Sequence, residues 1–331
     1  MNASPAESLK ILVVTAMYPH SGNEGYGAFV MQQVEQLQAL GHDVDVISFP
    51  GYRSKWEYFK AAVKVFRQTR MNRYAVVHVH YGATALAALF RNSTPLVITV
   101  HGSDALVGRS GPYITRLMSK LADATIVVNK NISKRIAGDI IPCGVSLSIF
   151  EPKPKAEARE RLGLLRDRKY VLFPFNPDRT VKRFDLADAA VQRLVSEGLD
   201  IELLIVSKVH FREMPWYYSA ADAMVLCSNS EGSPTSVKEA LACNLPVVSV
   251  DVGDMKEILT GIVGAEIVDR SVDSLSAALK RVLMPSEGFE FNGRRAMEQY
   301  SQQKTVSAII DVYRRIAERQ HPAQNPIISR V

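Results

Sequence analysis

The sequence predicts an α/β fold with two doubly wound domains, each a parallel sheet with helices on both faces. Its 331 residues correspond to about two domains at roughly 150 residues each. Continuous apolar runs such as residues 10–15 alternate with amphipathic stretches, a pattern typical of parallel strands that are covered on both faces. A charged, proline-rich segment, residues 151–156, separates two such sets and is interpreted as a domain linker.

The first half of the chain alternates strand-like and helix-like segments. The helix that begins at Ala28 ends at Gly41, a residue type favoured directly after helices. The predicted strands are 10–15, 45–49, 75–80, 95–100 and 124–128, and the predicted helices are 28–40, 51–74, 83–90, 112–121 and 132–137. Repeated strand–helix units of this kind predict a parallel sheet.

The second half repeats this organisation. The predicted strands are 170–175, 201–206, 223–227, 246–250 and 264–268, and the predicted helices are 184–197, 216–221, 235–243, 271–283 and 307–319. We therefore divide the chain into a first domain (1–150), a linker (151–165), a second domain (166–303) and a loose tail (321–331). Two consecutive doubly wound domains place a cleft between them, where the carboxyl ends of the strands face each other.

Composition excludes several classes of protein. Hydrophobic residues make up 47% and charged residues 22% of the chain, which excludes a disordered or fibrous protein. No signal-peptide pattern opens the sequence, and no apolar run approaches the roughly 18 residues of a spanning helix. The three cysteines exclude a disulfide scaffold, and none lies in a C-x-x-C pair. We therefore expect a soluble cytoplasmic protein.

The net charge of +6 is concentrated in residues 51–74, where seven basic residues accompany a single acidic one. A basic amphipathic helix of this kind binds anionic surfaces. In an alternative interpretation, its apolar stripe packs on the sheet of its own domain, and both interpretations hold together if only the basic flank faces lipid headgroups. Nucleic acid is disfavoured, because no nucleic-acid-binding pattern accompanies the charge. The apolar residues at helical spacing are Tyr52, Trp56, Phe59, Val63 and Phe66.

Two glutamates, Glu231 and Glu239, flank a predicted helix start at Thr235. The N–H groups at a helix N-terminus bind phosphate. Carboxylates beside a phosphate must accept hydrogen bonds from hydroxyl groups, and a ribose on one side with a hexose on the other meets that requirement. In the alternative, Ser236 and Glu239 form a capping box, in which Glu239 caps its own helix.

The segment from Glu231 through Glu239 to the strand at 246–250 resembles the signature of glycosyltransferase family 4. Members of this family are retaining, nucleotide-sugar-dependent enzymes with the GT-B fold, in which two Rossmann-like domains face each other across a cleft. The resemblance implies that Glu231 contacts hydroxyl groups of the donor sugar, in a catalytic role, and that Glu239 binds the ribose. The backbone implied to face the sugar and diphosphate is that of Ser233, Pro234, Thr235 and Ser236.

The resemblance extends over most of the chain. It assigns the acceptor to residues 1–150 and the donor to residues 166–303, and it implies that the helix 307–319 packs back on the first domain. Gly27 lies in a segment similar to the family's first loop and helix, where it would let the backbone approach the donor or acceptor closely. His101 resembles the family's acceptor-domain histidine, which implies a catalytic place beside the reacting sugar. A histidine at a strand end is more often structural, but this strand end opens on the cleft.

A basic loop after the first strand of the second domain is similar to the loop that neutralises the donor's diphosphate in the family. Lys182 matches the family's lysine and is implied to act in catalysis, because charge develops on the leaving group there. Asn176 stands at the family's arginine position, so Arg179 is the nearest substitute, and Arg183 stands where a glycine is usual. The alternative is a solvated charge run at a helix start.

Two features depart from the family. About 16 residues join the strands 201–206 and 223–227, which is enough for one helical crossover but not for the further βα unit that is usual there. The nucleobase is therefore expected beside residues 207–211, near the backbone of Val209. A frequent Gly-Gly pair reads Gly253-Asp254 here.

Neither a metal nor a bound cofactor is expected. Asp43 and Asp45 form a D-x-D pair at the start of a strand, the wrong end for this cleft. The glycines Gly22, Gly25 and Gly27 lack the spacing of a dinucleotide fingerprint, which argues against a nicotinamide enzyme.

The sequence therefore predicts a metal-independent enzyme that transfers a hexose from a nucleotide diphosphate-sugar, with UDP favoured, to a glycan or lipid-linked acceptor with retention of configuration. The basic helix suggests peripheral contact with the inner face of the cytoplasmic membrane. Two other functions stay open. One is a non-catalytic nucleotide-sugar-binding subunit, and the other is a sugar-nucleotide epimerase on the same fold.

Overall fold

The computed structural model describes residues 8–106, 108, 110–285 and 290–320. These residues form two parallel sheets, as the alternating pattern predicts. The strands of the first sheet are β1 (Lys10–Thr15), β2 (Asp43–Ser48), β3 (Val76–His80), β4 (Leu96–Val100), β5 (Ala124–Val127) and β6 (Asp139–Ile140). Their order is β2-β1-β3-β4-β5-β6, and every neighbouring pair is parallel.

The helices of the first half include two that cover long stretches of this sheet and several short ones at its carboxyl edge. A 3-10 helix, Gly82–Ala88, takes the place of the α-helix predicted over 83–90. The helix predicted over 132–137 is a shorter one that starts earlier, because the side chain of Asn129 caps it by accepting from Ile132 N. The α-helices are α1 (Ala28–Ala39), α2 (Lys55–Met71), α3 (Ser103–Leu106), α4 (Ser110–Leu121) and α5 (Lys130–Ser133).

The second sheet comprises β7 (Lys169–Phe173), β8 (Ile201–Ile205), β9 (Ala223–Leu226), β10 (Val247–Val250) and β11 (Ala265–Val268). Its order is β11-β10-β9-β7-β8, again with parallel neighbours. Residues 206–222 contain one helix and no strand, which confirms that this domain lacks a further βα unit at that point. The helices from residue 155 onward are α6 (Lys155–Arg161), α7 (Phe184–Ser196), α8 (Met214–Ala220), α9 (Thr235–Ala242), α10 (Met255–Leu259), α11 (Val272–Leu283), α12 (Gly293–Met297) and α13 (Gln302–Gln320).

The segment predicted as a linker, 151–165, contains α6 and is anchored to the second domain. The Arg159 side chain is buried and donates to the Ala220 carbonyl and to Asp222 at 2.7 Å. Asp222 also accepts from Tyr170 N, so it joins this segment to the start of β7. The proline-rich, charged composition suggests a free linker, but the buried Arg159 side chain binds the segment to the second domain.

The C-terminal helix α13 packs on the first sheet, beside α1. Val306, Ile309, Ile310 and Tyr313 are buried in one cluster with strand residues of the first domain. The helix is longer than the predicted 307–319 and starts at Gln302. The predicted tail, residues 321–331, lies outside the described residues.

Helix α2 packs by the face opposite to its aromatic stripe. The buried residues of α2 are Ala61, Val65 and Thr69. The interpretation in which the stripe packs on the sheet is therefore wrong: small and β-branched side chains make that contact instead. The stripe faces solvent, with exposed fractions of 63% for Tyr52, 69% for Trp56, 60% for Phe59, 43% for Val63 and 41% for Phe66.

Candidate active site between the two domains

The carboxyl edges of the two sheets meet through a small set of polar contacts. Asn129, after β5, donates from Nδ2 to the Gly232 carbonyl at 2.7 Å, and Asn131 donates to the Gly253 carbonyl at 3.1 Å. Both acceptors lie in loops after strands of the second sheet. The loop that carries Glu231 is therefore held against the first domain.

Two glycines allow the backbones to touch at this point. A Cβ on Gly232 would lie 1.8 Å from the His101 carbonyl oxygen, and a Cβ on Gly102 would lie 2.9 Å from the Gly232 Cα. Gly102 also has a φ of +110°, which favours glycine. The close approach brings the residue after β4 next to the loop after β9.

Lys182 and Glu231, predicted from separate segments, form an ion pair. The Lys182 Nζ lies 2.5 Å from Glu231 Oε1, and the two side chains are only 7% and 13% exposed. Nζ also lies 3.9 Å from the centre of the Phe175 ring, a cation–π contact. Burial lowers the pKa of Lys182, and the Glu231 charge opposes that change. The pair is positioned by the loop after β7 and the loop after β9.

The two arginines of the basic loop differ in their surroundings. Arg183 has a φ of +54°, the conformation for which glycine is the usual residue, and its guanidinium is paired with Asp185 at 2.7 Å. Arg179 is exposed and forms no side-chain hydrogen bond or ion pair within the described part of the chain. Burial raises the pKa of Tyr81, and the nearby Arg179 charge opposes that rise.

The N-terminus of α9 opens beside the ion pair. The helix begins at Thr235 after Pro234, and no side chain caps it, so the N–H groups of Thr235 and Ser236 are left for a ligand. The Ser233 hydroxyl donates to Asp254 Oδ2 at 2.5 Å and accepts from Lys238 Nζ at 2.5 Å. These contacts fix the turn that leads into the helix.

Glu239 lies on the second turn of α9, and its carboxylate accepts from the Tyr218 hydroxyl at 2.8 Å. The capping-box interpretation is wrong: the helix begins before Ser236 and has no side-chain cap. Burial raises the pKa of Glu239 to about 7, and the hydrogen bonds from Tyr218 and Thr235 oppose that rise. Capping carboxylates lie at the solvent-exposed start of a helix, whereas the Glu239 carboxylate is buried beside Tyr218.

His101 lies at the end of β4 among aromatic rings and other histidines. Its ring is 4.9 Å from the Phe29 ring and 4.7 Å from the Tyr81 ring, between centroids. Its Nε2 lies 3.0 Å from His80 Nδ1, and its Nδ1 faces Cys143 Sγ at 3.8 Å. Burial, with the neighbouring His80, lowers the pKa of His101 well below its usual range, so the ring is neutral.

Gly27 and Val209 lie in the loops that border the cleft. A Cβ on Gly27 would lie 2.4 Å from the Met17 carbonyl carbon and oxygen, and its φ is +71°. Contact with the chain's own backbone thus already requires a glycine at this position. The Val209 carbonyl faces Gly25 of the first domain, 3.4 Å from an ideal Cβ there.

The sequence interpretation missed a buried cation between the domains. The Lys238 side chain is fully buried, donates to the Cys143 carbonyl at 2.6 Å and lies 3.7 Å from Asp254. Burial raises the pKa of Asp254, and the Lys238 charge opposes that rise. Asp254, a carboxylate where the family usually has glycine, is the sequence feature that could have indicated this cation. A buried carboxylate requires a partner, and Lys238 is that partner.

Two further observations concern metals and membranes. Among residues 8–106, 108, 110–285 and 290–320, no group of three or more His, Cys, Asp or Glu side chains is arranged to hold a metal ion. No helix in these ranges is both long and apolar enough to cross a bilayer.

Two family profiles match the chain and together span most of it. One, described as glycosyltransferase family 4, matches residues 24–149, and one described as glycosyl transferases group 1 matches residues 184–284. TuaC of Bacillus subtilis (strain 168), whose name assigns it to teichuronic acid biosynthesis as a glycosyltransferase, is 26% identical over 82% of this chain and 89% of its own length. The D-inositol 3-phosphate glycosyltransferase of Geodermatophilus obscurus is 27% identical over 78% of this chain and 71% of its own length.

Solved structures share the fold at low identity. Sucrose-phosphate synthase from Thermosynechococcus elongatus superposes with a TM-score of 0.76 at 19% identity, covering 93% of this chain and 99% of that one. Anabaena HepE in complex with UDP gives a TM-score of 0.67 at 15% identity, covering 93% of this chain and 100% of that one. These structures show that the fold is GT-B. The two family profiles, which together span most of the sequence, show that the chain belongs to glycosyltransferase family 4 and is a glycosyltransferase.

Proposed function

We propose that this glycosyltransferase moves a hexose from a nucleotide diphosphate-sugar, with UDP as the favoured nucleotide, to a glycan or lipid-linked acceptor. The observation that carries the proposal is the buried Lys182–Glu231 pair beside the uncapped start of α9, with Glu239 one turn further on. Cations, N–H groups and carboxylates meet there in the arrangement that a diphosphate flanked by two sugars requires.

The proposal assigns the diphosphate to Lys182, Arg179 and the first N–H groups of α9. A diphosphate competes with Glu231 for Lys182, and its arrival releases the Glu231 carboxylate to accept hydroxyl groups of the donor sugar. Glu239 accepts the ribose hydroxyls in place of the Tyr218 hydroxyl. Arg183 is not assigned to the diphosphate, because Asp185 already pairs with it.

Transfer with retention is part of the proposal and needs no enzyme nucleophile. The bond from the anomeric carbon to the diphosphate breaks, and the acceptor oxygen bonds to the same face of that carbon. The acceptor proton passes to the departing phosphate oxygen. Lys182 and the helix N–H groups stabilise the charge that develops on that phosphate, so that no metal ion is required. UDP is the favoured nucleotide in this proposal because HepE, a protein of the same fold, was solved in complex with UDP.

An anionic membrane surface is the proposed location of the acceptor. Helix α2 presents its aromatic stripe and all the basic side chains of 53–73 to solvent. The 3-10 helix Gly82–Ala88 packs between α2 and α4, and this face also exposes Phe90 and Tyr113, which are 71% and 72% exposed. Aromatic side chains among cations match the interface between headgroups and acyl chains.

Transfer is tested with purified protein, a panel of UDP-, GDP- and ADP-sugars, and acceptors with and without a lipid diphosphate, each in EDTA and in magnesium. The expected result is acceptor-dependent release of UDP in EDTA and an anomeric configuration, read by NMR, that matches the donor. A donor altered without any acceptor would support the epimerase alternative. Tight nucleotide binding without turnover in the whole panel would support the binding subunit.

A further inference from the structure

A chain of buried histidines runs beneath His101 and plays no part in the function proposed above. His78 and His80 alternate on β3, and both are fully buried. Gln33 of α1 reaches between them, with Nε2 3.4 Å from His78 Nδ1 and 3.4 Å from His80 Nε2. His80 Nδ1 then lies 3.0 Å from His101 Nε2. Two polar residues at alternate positions of a strand covered on both faces require hydrogen-bond partners, and here the partners form a continuous chain.

The hydrogen bonds of this chain fix the position of each proton. An amide nitrogen only donates, so His78 Nδ1 and His80 Nε2 both accept from Gln33. A neutral imidazole carries one proton, so the proton of His80 is on Nδ1 and is donated to His101 Nε2. The remaining proton of His101 is then on Nδ1, which faces Cys143 Sγ at 3.8 Å.

The far end of the chain is compatible with the same assignment. His78 Nε2 lies 2.7 Å from the Thr99 hydroxyl, and its Nδ1 lies 2.5 Å from the Tyr313 hydroxyl of α13. With the proton on Nε2, His78 donates to Thr99 and accepts from Tyr313 at Nδ1, and the longer contact from Gln33 to the same nitrogen is a weak one. Burial lowers the pKa of His80 to about 3, so the rings are neutral and each has a single proton to place.

We propose that His80 is a positioning residue for His101, holding its ring in the neutral form with the proton on Nδ1. This inference rests on the proposed function for its catalytic consequence. With Nε2 occupied by His80, His101 has only Nδ1–H to offer, and a thiol sulfur at 3.8 Å is a weak acceptor that a sugar hydroxyl displaces easily. His101 is thus a neutral hydrogen-bond donor to a sugar hydroxyl and not a base.

The tautomer is measured directly by long-range ¹H–¹⁵N NMR of the ¹⁵N-histidine-labelled full chain near neutral pH. The His101 signals are identified by their loss in His101→Asn. The expected result is one protonated nitrogen, Nδ1, in His101. A proton on Nε2 of His101 overturns the proposal, because it means that the Gln33 amide is reversed and the whole chain runs in the other direction.

Two substitutions at His80 separate positioning from packing. The amide nitrogen of His80→Asn lies close to the place of Nδ1 and keeps a donor to His101, whereas His80→Leu removes it. We expect His80→Leu to lower kcat by about 10- to 100-fold with a smaller change in the donor KM, and to let His101 shift to the Nε2–H form. His80→Asn should recover most of kcat and the Nδ1–H form.

His42→Asn, at the opposite edge of the sheet between α1 and β2, is the matched control and should change neither readout. Equal losses of kcat in His80→Leu and His80→Asn, with an unchanged His101 tautomer in both, would overturn the positioning role. The NMR result is independent of turnover. The expected tautomer in a protein that transfers no sugar would contradict the proposed function and leave the hydrogen-bond chain intact.

Discussion

Lys182 and Glu231 are 49 residues apart in sequence and share one short contact. The sequence predicts a different partner for each of them, the diphosphate for Lys182 and the donor sugar for Glu231. It did not predict that they pair with each other, because side-chain contacts between loops depend on how neighbouring strand ends are arranged. Because the two opposite charges lie side by side, each reduces the desolvation cost of the other.

The pair predicts a separation of stability from activity. Glu231→Leu and Lys182→Met each leave one buried charge without its partner and should each lower the free energy of unfolding by about 3–5 kcal/mol. The double variant should recover most of that loss, since no unpaired charge remains. All three should lack transfer. Urea unfolding and a transfer assay on the four proteins measure this, and a double variant as unstable as the sum of the single ones would contradict the pairing.

Glu239 predicts opposite pH trends for stability and for binding. Its pKa is raised by burial from its ordinary value to about 7, so the protonated form stabilises the folded state at low pH, and that contribution is lost as the pH rises through 7. Glu239→Gln should therefore have a free energy of unfolding about 1–3 kcal/mol higher than that of the wild type at pH 8, with little difference near pH 4.5, as measured by urea unfolding at both pH values.

Nucleotide binding should follow the carboxylate instead. Wild-type affinity for the nucleotide should fall as the pH decreases from 8 to 6, because the neutral acid donates where the ribose needs an acceptor. Glu239→Gln should bind weakly with little dependence on pH. Calorimetric titrations at three pH values distinguish these trends. Equal nucleotide affinities of the two proteins at pH 8 would contradict the assignment of Glu239 to the ribose.

Among the secondary-structure elements, hydrophobic periodicity predicts the positions of the strands and long helices. It does not predict which face of a helix is buried. The spacing of Trp56, Phe59 and Val63 predicts a helix with one aromatic face, and α2 is that helix. Spacing states which residues share a face and not whether that face is covered. The covering face contains Ala61 and Val65, whose small side chains give a weaker sequence signal than the aromatic stripe.

The exposed stripe predicts membrane binding by α2. We expect the wild type to sediment with vesicles that contain phosphatidylglycerol and not with pure phosphatidylcholine vesicles, because both burial of aromatic rings and attraction of cations are needed. Trp56→Ser with Phe59→Ser should reduce binding by 10-fold or more and leave the melting temperature unchanged. Leu165→Ser with Met284→Ser, which alters exposed apolar residues of the second domain, is the control. Equal loss in both pairs of variants would contradict a specific membrane face.

At the scale of the whole molecule, the cleft is held by contacts that no local pattern reveals. Asn129 and Lys238 each lie in an ordinary position of their own domain, and their partners, Gly232 and Cys143, belong to the other domain. Sequence periodicity predicted the two sheets, and the resemblance assigned the site residues to their loops. The polar contacts between the domains arise only when the folded domains meet, so they were not predictable from either half alone.

The backbone contact between the domains predicts that Gly232→Ala is severe. Its Cβ would lie 1.8 Å from the His101 carbonyl oxygen, so the domains must separate to accommodate it. We expect transfer to fall by at least 100-fold while each domain stays folded. Gly111→Ala, on α4 with its nearest contact at 3.7 Å, is the matched control and should be active. Normal activity of Gly232→Ala would show that the domain contact is not needed for catalysis.

Lys182, Glu231, Glu239 and the start of α9 form the proposed donor site, and thermal unfolding in the presence of nucleotides measures whether they bind one. The wild type is measured with UDP, GDP and ADP and with their sugar conjugates, in EDTA and in magnesium, beside Glu239→Gln. We expect the melting temperature of the wild type to rise with UDP and UDP-sugars in EDTA, since ligand at 100 times Kd adds about 2.7 kcal/mol to the free energy of unfolding. Glu239→Gln should show little rise. No rise with any nucleotide, or an equal rise in Glu239→Gln, would contradict the proposed donor site.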